Sequence, residues 1–155
     1  MNIILSIDHG QDLVSKVAVE ELTQFVLTHE ELPENTEVSI SFVNDDTIAA
    51  LNEQYRGKTG PTDVLSFECD GLDDDMLLVE DDKFEQPTIE LGDIVIAPDV
   101  ALRQTEEFGT TIEEELSLLI VHGLLHLCGY DHIVEEEAQE MEALEKEILS
   151  AWAER

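Results

Sequence analysis

The amino-acid sequence predicts an α+β fold in which a small mixed sheet of about four strands is covered by helices. Short segments rich in β-branched residues alternate with longer segments whose apolar residues recur at helical spacing. The chain has 155 residues, 43% of them hydrophobic, which is enough for one buried core. One helix in the second half is apolar on almost every side, as is typical of a helix at the centre of a domain. We therefore expect a single domain over residues 1–155.

The first half of the chain is predicted to contain three strands and two helices. In the second strand, Val38, Ile40 and Phe42 alternate with serines, which is the period of a half-buried strand. Asn44 stands where it can cap the second helix, and Pro61 closes the polar loop that follows. The predicted strands cover residues 2–7, 38–42 and 64–67, and the predicted helices cover 12–28 and 44–55.

The second half begins with an acidic segment, residues 69–87, which shows little periodicity. We expect it to be a mobile excursion, with a hairpin around 76–79. A β-branched strand is predicted at 94–97. Pro98 then opens a helix that Gly109 breaks.

Two further helices are predicted in the last third. Thr111 and Glu114 form a capping-box pattern ahead of the most apolar helix, residues 116–127. Gly129 ends that helix as a left-handed cap does. The last helix, 134–153, is amphipathic, and its apolar stripe contains Ala138, Met141, Leu144, Ile148 and Leu149.

The charge of the chain is strongly negative: 38 Asp and Glu against 7 Lys and Arg give −31. Such a surface repels nucleic acid, so the composition by itself argues against a polyanionic substrate. High acidity can equally be an adaptation for solubility. Within residues 51–62 basic residues outnumber acidic ones, because this segment contains Arg56 and Lys58 but only one acid, Glu53.

The sequence shows no targeting or membrane segment, and a soluble intracellular protein is expected. Residues 1–9 lack a basic start and an apolar run, and no later stretch approaches the roughly eighteen apolar residues of a membrane span. The two cysteines, Cys69 and Cys128, suggest no disulfide. Cys128 lies close to a group of histidines, but on a helix it points about 200° away from His126. We expect it to be a small buried apolar side chain.

Three of the five histidines fall within one short segment and predict a metal site. His122 and His126 are four residues apart on the apolar helix, so their rings share one face. Gly129 permits the reversal that returns His132 to the same point. Three imidazoles leave a tetrahedral zinc ion one open position for water, as in catalytic sites, and the ion lowers the pKa of that water to about 7. We expect one divalent ion, with zinc as the first choice, and three imidazoles also suit nickel, copper or iron.

The histidine spacing, H-x3-H-x2-G-x2-H, also matches the metzincin proteases and predicts a zincin-like metal-binding helix. Those proteases carry a glutamate directly after the first histidine, as general base for the attacking water. This chain has Gly123 at that position. Hydrolysis of peptides or amides is therefore the weaker prediction.

Three segments resemble the YbeY-type endoribonucleases, which are bacterial rRNA maturation factors. They are HGLLHLCGYDH from His122 to His132, LNEQYRGKTGPTDVLSF from Leu51 to Phe67, and LGDIVI from Leu91 to Ile96. They span most of the chain in the family's order. Two departures are Thr59, where the family usually has an acid, and the long acidic stretch at 70–85.

This resemblance implies a cytoplasmic, zinc-dependent hydrolase specific for single-stranded RNA. Such an enzyme trims the 3′ end of small-subunit rRNA and acts in ribosome quality control. The implied partners are rRNA and the ribosome or its proteins, rather than DNA or a membrane. By position, His122, His126 and His132 match the zinc ligands of the family, and Arg56 matches an arginine that the family needs for function.

Arg56 and Asp131 complete the predicted catalytic set. A guanidinium is a planar, permanently charged fork for phosphate oxygens, so Arg56 is expected to clamp the phosphate, with Lys58 as a helper. Asp131 could orient a ligand imidazole, accept a proton or simply form a turn. Asp63 and Ser66 could support the site or serve only the adjacent strand. Two alternatives remain open: a metal-dependent protease or amide hydrolase, and a ribosome-assembly binding protein with a structural zinc.

Overall fold

The computed structural model describes residues 1–68, 88–131 and 134–155. In these ranges no helix is both long enough and apolar enough to cross a membrane. The strands are β1 (Asn2–Ile7), β2 (Thr36–Phe42), β3 (Val64–Glu68) and β4 (Ile89–Ile96). The helices are α1 (Gln11–Val14), α2 (Val19–His29), α3 (Asp45–Arg56), α4 (Pro98–Phe108), α5 (Ile112–Leu127) and α6 (Glu135–Glu154).

The four strands form one mixed sheet in the order β1-β2-β4-β3. β1, β2 and β4 run parallel, and β3 pairs antiparallel with β4 at the edge. In this last pairing Ser66 stands opposite Ile94, and Phe67 stands opposite Asp93. The prediction of an α+β fold with a mixed sheet of about four strands is confirmed.

The two faces of the sheet are covered by different helices. On one face Ile40, Phe42 and Ile94 are fully buried in a core that includes residues of α2, α5 and α6. On the other face Leu65 and Val95 pack with Ile48 of α3. The alternation of side chains along each strand produces these two layers. α3 and α5 therefore lie on opposite sides of the β3–β4 edge.

Helix α5 lies at the centre of the larger core, as predicted. Leu116, Ile120 and Leu124 are all 0% exposed. Burying an aliphatic side chain of this size contributes roughly 1.5–3 kcal/mol. Because its core contacts hold α5 along most of its length, side chains in its last turns have a rigid base.

Three predicted boundaries were wrong. The helix predicted over 12–28 is divided into α1 and α2, with Ala18 in a non-helical conformation. Val14, Val17 and Leu22 all join the same core, so the apolar spacing continues across the break. β4 begins at Ile89 rather than at 94, and α5 begins at Ile112 rather than at 116. A bulge at Leu91, in the pairing of β4 with β2, interrupts the alternation of side chains in β4. The first half of the strand was missed for this reason.

The predicted capping residues are confirmed. The Asn44 side chain accepts a hydrogen bond from the backbone N–H of Thr47 at 2.9 Å. Thr111 and Glu114 form both hydrogen bonds of a capping box directly before α5. Gly109 follows α4 in the left-handed conformation, with φ 67°. The excursion predicted over 69–87 and its hairpin at 76–79 lie outside the described residues.

Candidate active site

The side chains of His122 and His126 converge near the end of α5. Their Nε2 atoms are 3.1 Å apart. The ring planes make an angle of 84°, with centroids 4.6 Å apart. Two nitrogens bound to one tetrahedral zinc ion, each at about 2.0–2.1 Å, are separated by about 3.3 Å. The pair is therefore spaced as two ligands of one ion are.

A hydrogen bond at Nδ1 orients each of these rings. Nδ1 of His122 lies 2.5 Å from Oε1 of Glu145, and Nδ1 of His126 lies 3.0 Å from the backbone oxygen of Tyr130. A carboxylate and a carbonyl oxygen can only accept, so each Nδ1 carries the proton when the ring is neutral. The lone pair of each ring is then on Nε2, the atom that faces the other ring. Two lone pairs directed at one point suit a cation between them.

Glu145 is the functional residue that the sequence analysis missed. It lies on α6 and is 8% exposed. Met141 and Ile148 flank it in the buried stripe of the same helix. An acid at a helical position that otherwise calls for an apolar residue is the signal that could have found it.

The turn after α5 supplies the acceptor for His126. Gly129 has φ 104°, and the N–H of Tyr130 then donates to the carbonyl of Leu125 at 3.1 Å. This turn directs the Tyr130 carbonyl back towards His126. The positive φ predicted for Gly129 at the helix end is confirmed. Asp131 follows in a half-buried position.

The third predicted ligand, His132, lies outside the described residues. Within the described ranges no three His, Cys, Asp or Glu side chains are grouped as metal ligands. The described part of the site is thus the imidazole pair with its two acceptors. The three-histidine set remains a prediction.

Cys128 does not belong with the imidazoles. Its side chain packs against the main core and lines a small cavity with Glu30, Leu32 and Tyr130. Burial, and to a smaller extent the charge of Glu30, raises the pKa of the Cys128 thiol to about 12. A thiol with this pKa is protonated at neutral pH, in agreement with its predicted apolar role.

Gly123 lies where α5 packs closely against the sheet. A Cβ built there would stand 3.0 Å from Cγ2 of Ile94 and 3.3 Å from Oγ of Ser66. The Ser66 hydroxyl also donates to the carbonyl of Gly123, at 3.4 Å. A side chain at this position would therefore point towards β3 and β4. The glutamate that proteases carry here would require Ile94 and Ser66 to shift by a few tenths of an ångström.

Arg56 is the last residue of α3, on the opposite face of the sheet from α5. Gly57 ends the helix in the left-handed conformation, and the Asn52 amide donates to the carbonyl of Gly60 at 2.9 Å. Arg56 and Lys58 are both exposed. Among the described residues, no hydrogen bond or ion pair joins either cation to the imidazole pair.

Asp63 serves the start of β3. Its Oδ1 accepts a hydrogen bond from the N–H of Val64 at 2.8 Å, and its Oδ2 accepts one from the Gln104 amide at 3.1 Å. These contacts fix the entry to the strand. Of the two supporting residues considered from the sequence, Ser66 alone contacts the helix that carries the histidines.

Comparison with known proteins identifies the family. The family model of endoribonuclease YbeY matches residues 7–153. The chain belongs to this family. Endoribonuclease YbeY of Enterococcus faecalis is 42% identical over 136 residues, which cover 86% of each chain. That of Thermoanaerobacter pseudethanolicus is 42% identical over 155 residues, which cover 97% of this chain and 96% of the relative.

A solved structure agrees with the family. It is the solution structure of a Thermotoga maritima protein, which superposes with a TM-score of 0.59 at 26% sequence identity. The match covers 98% of this chain and 92% of that protein. Membership of the endoribonuclease YbeY family confirms the resemblance seen in the three sequence segments, and with it the prediction of an endoribonuclease.

Proposed function

We propose that the chain hydrolyses single-stranded RNA at a site where one divalent ion, preferably zinc, is held by His122, His126 and His132. The observation that carries the proposal is the 3.1 Å approach of the two Nε2 atoms. Both rings have their Nδ1 atoms engaged by acceptors. A ring held in this way directs its lone pair at the ion and cannot turn away.

We assign His132 as the third ligand of the proposed site. His132 comes three residues after Gly129, and its spacing from His126 suits a return to the ion. Three imidazoles leave a fourth position open to water or substrate. A divalent ion held there would act as a Lewis acid and would lower the pKa of a water molecule. Asp131, beside His132, would orient that imidazole or accept the proton released by the attacking water.

Arg56 is proposed to bind the phosphate. A phosphodiester carries negative charge on its non-bridging oxygens, and a guanidinium presents two parallel donors to them. Lys58 adds a second positive charge two residues away. Both cations are exposed at the end of α3, beside the edge strand whose other face contacts α5.

The physiological substrate is proposed to be rRNA, at the 3′ end of the small-subunit species, in the cytoplasm. Family membership supports RNA as the substrate class. The charge of −31 suits contact with basic ribosomal proteins, while the local excess of base at Arg56 and Lys58 suits the RNA itself. The alternative of proteolysis is weaker, because Gly123 stands where the proteases carry the glutamate that acts as general base.

Metal depletion tests the proposal. Wild-type protein would be treated with a chelator and then supplied again with zinc, and the cleavage of single-stranded RNA, duplex RNA and an unfolded protein would be followed in parallel. We expect cleavage of the single strand alone, lost on depletion and restored by zinc, with the circular dichroism spectrum unchanged. Cleavage that persists without metal would contradict the proposal. Loss of the folded spectrum on depletion would favour a structural ion.

A further inference from the structure

We propose that the ring of Tyr55 is a stacking platform for one base of the RNA strand, next to the phosphate contacts of Arg56 and Lys58. The inference rests on the proposed function and adds a base-binding subsite to it. Tyr55 is 60% exposed, at the last turn of α3. Its ring is held against Phe67 of β3 in an edge-to-face contact, with centroids 5.2 Å apart and planes at 68°. The ring is both accessible and fixed in orientation.

The position of Tyr55 on α3 explains the exposure. Ile48 and Leu51 precede it on the same helical stripe, and their burial decreases along the helix from 0% exposed at Ile48 to half-buried at Leu51. Among the strands that the structure describes, β3 is the last in the sheet order, and the stripe of α3 continues past it. Tyr55 therefore overhangs the edge, with Phe67 as its support.

The two cations that follow Tyr55 in the sequence favour a polyanion as the occupant. Two of the seven basic residues of the chain, Arg56 and Lys58, follow the ring within three positions. The other two arginines in the described part of the chain already have partners: Arg103 pairs with Asp45 at 2.8 Å, and Arg155 lies over the ring of Trp152. An exposed aromatic ring beside two cations is the combination that single-stranded nucleic acid uses, with bases on the ring and phosphates on the charges.

The platform lies on the same strand as the groups next to the histidines. Phe67 supports Tyr55 on one face of β3, and its neighbour Ser66 contacts Gly123 on the other face. Gly123 is adjacent to His122 in α5. An RNA strand that crosses the β3 edge would meet the platform on one side and approach the imidazoles on the other. Because every base has a flat face, such a platform binds without strong sequence preference.

Binding of a short fluorescein-labelled single-stranded oligoribonucleotide, followed by anisotropy without added metal, tests the inference. Tyr55→Phe keeps the ring and should bind as the wild type does. Tyr55→Leu keeps an apolar side chain but removes the ring, so its Kd should rise by about fivefold to hundredfold. The matched control is Phe108→Leu, since Phe108 is also 60% exposed but lies at the end of α4. Equal affinity of Tyr55→Leu and Phe108→Leu would overturn the inference.

A second measurement detects the stacking itself. Tyr55→Trp places an indole at the platform. The fluorescence of the native Trp152 is measured in the wild-type protein and subtracted. Saturating oligoribonucleotide should quench the added fluorescence, whereas an abasic oligonucleotide of the same charge should not. Equal quenching by both would contradict a stacked base. Neither assay includes a cleavage step, so RNA binding through Tyr55 without metal-dependent cleavage would refute the proposed function and leave the platform standing.

Discussion

The carboxylate of Glu145 in α6 accepts a hydrogen bond from Nδ1 of His122 in α5, at 2.5 Å. The contact crosses the interface between the two helices, and the Glu145 side chain is 10% exposed. A carboxylate in this position fixes the tautomer of the imidazole and makes Nε2 a better ligand. It also explains why an acid stands between Met141 and Ile148 in a buried stripe.

Removal of this carboxylate should weaken metal binding. We expect Glu145→Ala to bind zinc about 10- to 100-fold less tightly than the wild type, measured by competition with a chromogenic chelator. Glu145→Gln keeps an oxygen that can accept from Nδ1, so its loss should be smaller. Glu142→Ala, an exposed position on the same helix, serves as the control. Equal zinc affinities in Glu145→Ala and Glu142→Ala would rule out the positioning role.

Arg56 should affect cleavage without affecting the metal. Loss of a single charged donor to a reacting group typically lowers turnover by about 100-fold or more. We expect a loss of this size in kcat/KM of Arg56→Ala on single-stranded RNA, with unchanged zinc content. Arg56→Lys keeps the charge but lacks the planar fork and should recover only part of the activity. Arg103→Ala is the matched control, because Arg103 is exposed and pairs with Asp45. Cleavage by Arg56→Ala at the wild-type rate would show that Arg56 has no role in catalysis.

Gly123→Ala should destabilise the protein although alanine favours a helix. The helical preference is worth about 1 kcal/mol in favour of alanine, whereas overpacking a buried contact costs about 1–3 kcal/mol. Ile94 is 0% exposed and cannot move away easily from the added Cβ. We expect the free energy of unfolding in urea to fall by about 1 kcal/mol. In an Ile94→Ala background the same change should cost less, since the space is then open. A more stable Gly123→Ala in the wild-type background would show that the packing is looser than described.

Much of the fold could be predicted from local patterns. Strand β2 was visible in the alternation of Val38, Ile40 and Phe42, because side chains of a strand point to opposite faces in turn. The start of α5 was visible in the capping box of Thr111 and Glu114, because both hydrogen bonds form between residues close in sequence. The break at Ala18 could not be seen in this way, because the apolar residues of α1 and α2 share one core and keep a common spacing. The first half of β4 was hidden for the same kind of reason, since its bulge disturbs the period.

The site could be predicted only in part. The convergence of His122 and His126 follows from helical spacing alone, and in the structure their Nε2 atoms are 3.1 Å apart. Glu145 reaches His122 from a helix that is distant in sequence, so tertiary packing alone reveals their contact. The exposure of Tyr55 likewise depends on β3 being the edge of the sheet.

The metal content of purified protein tests the central claim most directly. Elemental analysis should find about one zinc ion per wild-type chain. His122→Ala and His126→Ala should each lose it while keeping a folded circular dichroism spectrum. His9→Ala should retain it, because His9 pairs with Asp99 at 2.7 Å and belongs to another part of the molecule. Full zinc content in both His122→Ala and His126→Ala would contradict the assignment of these two imidazoles as metal ligands.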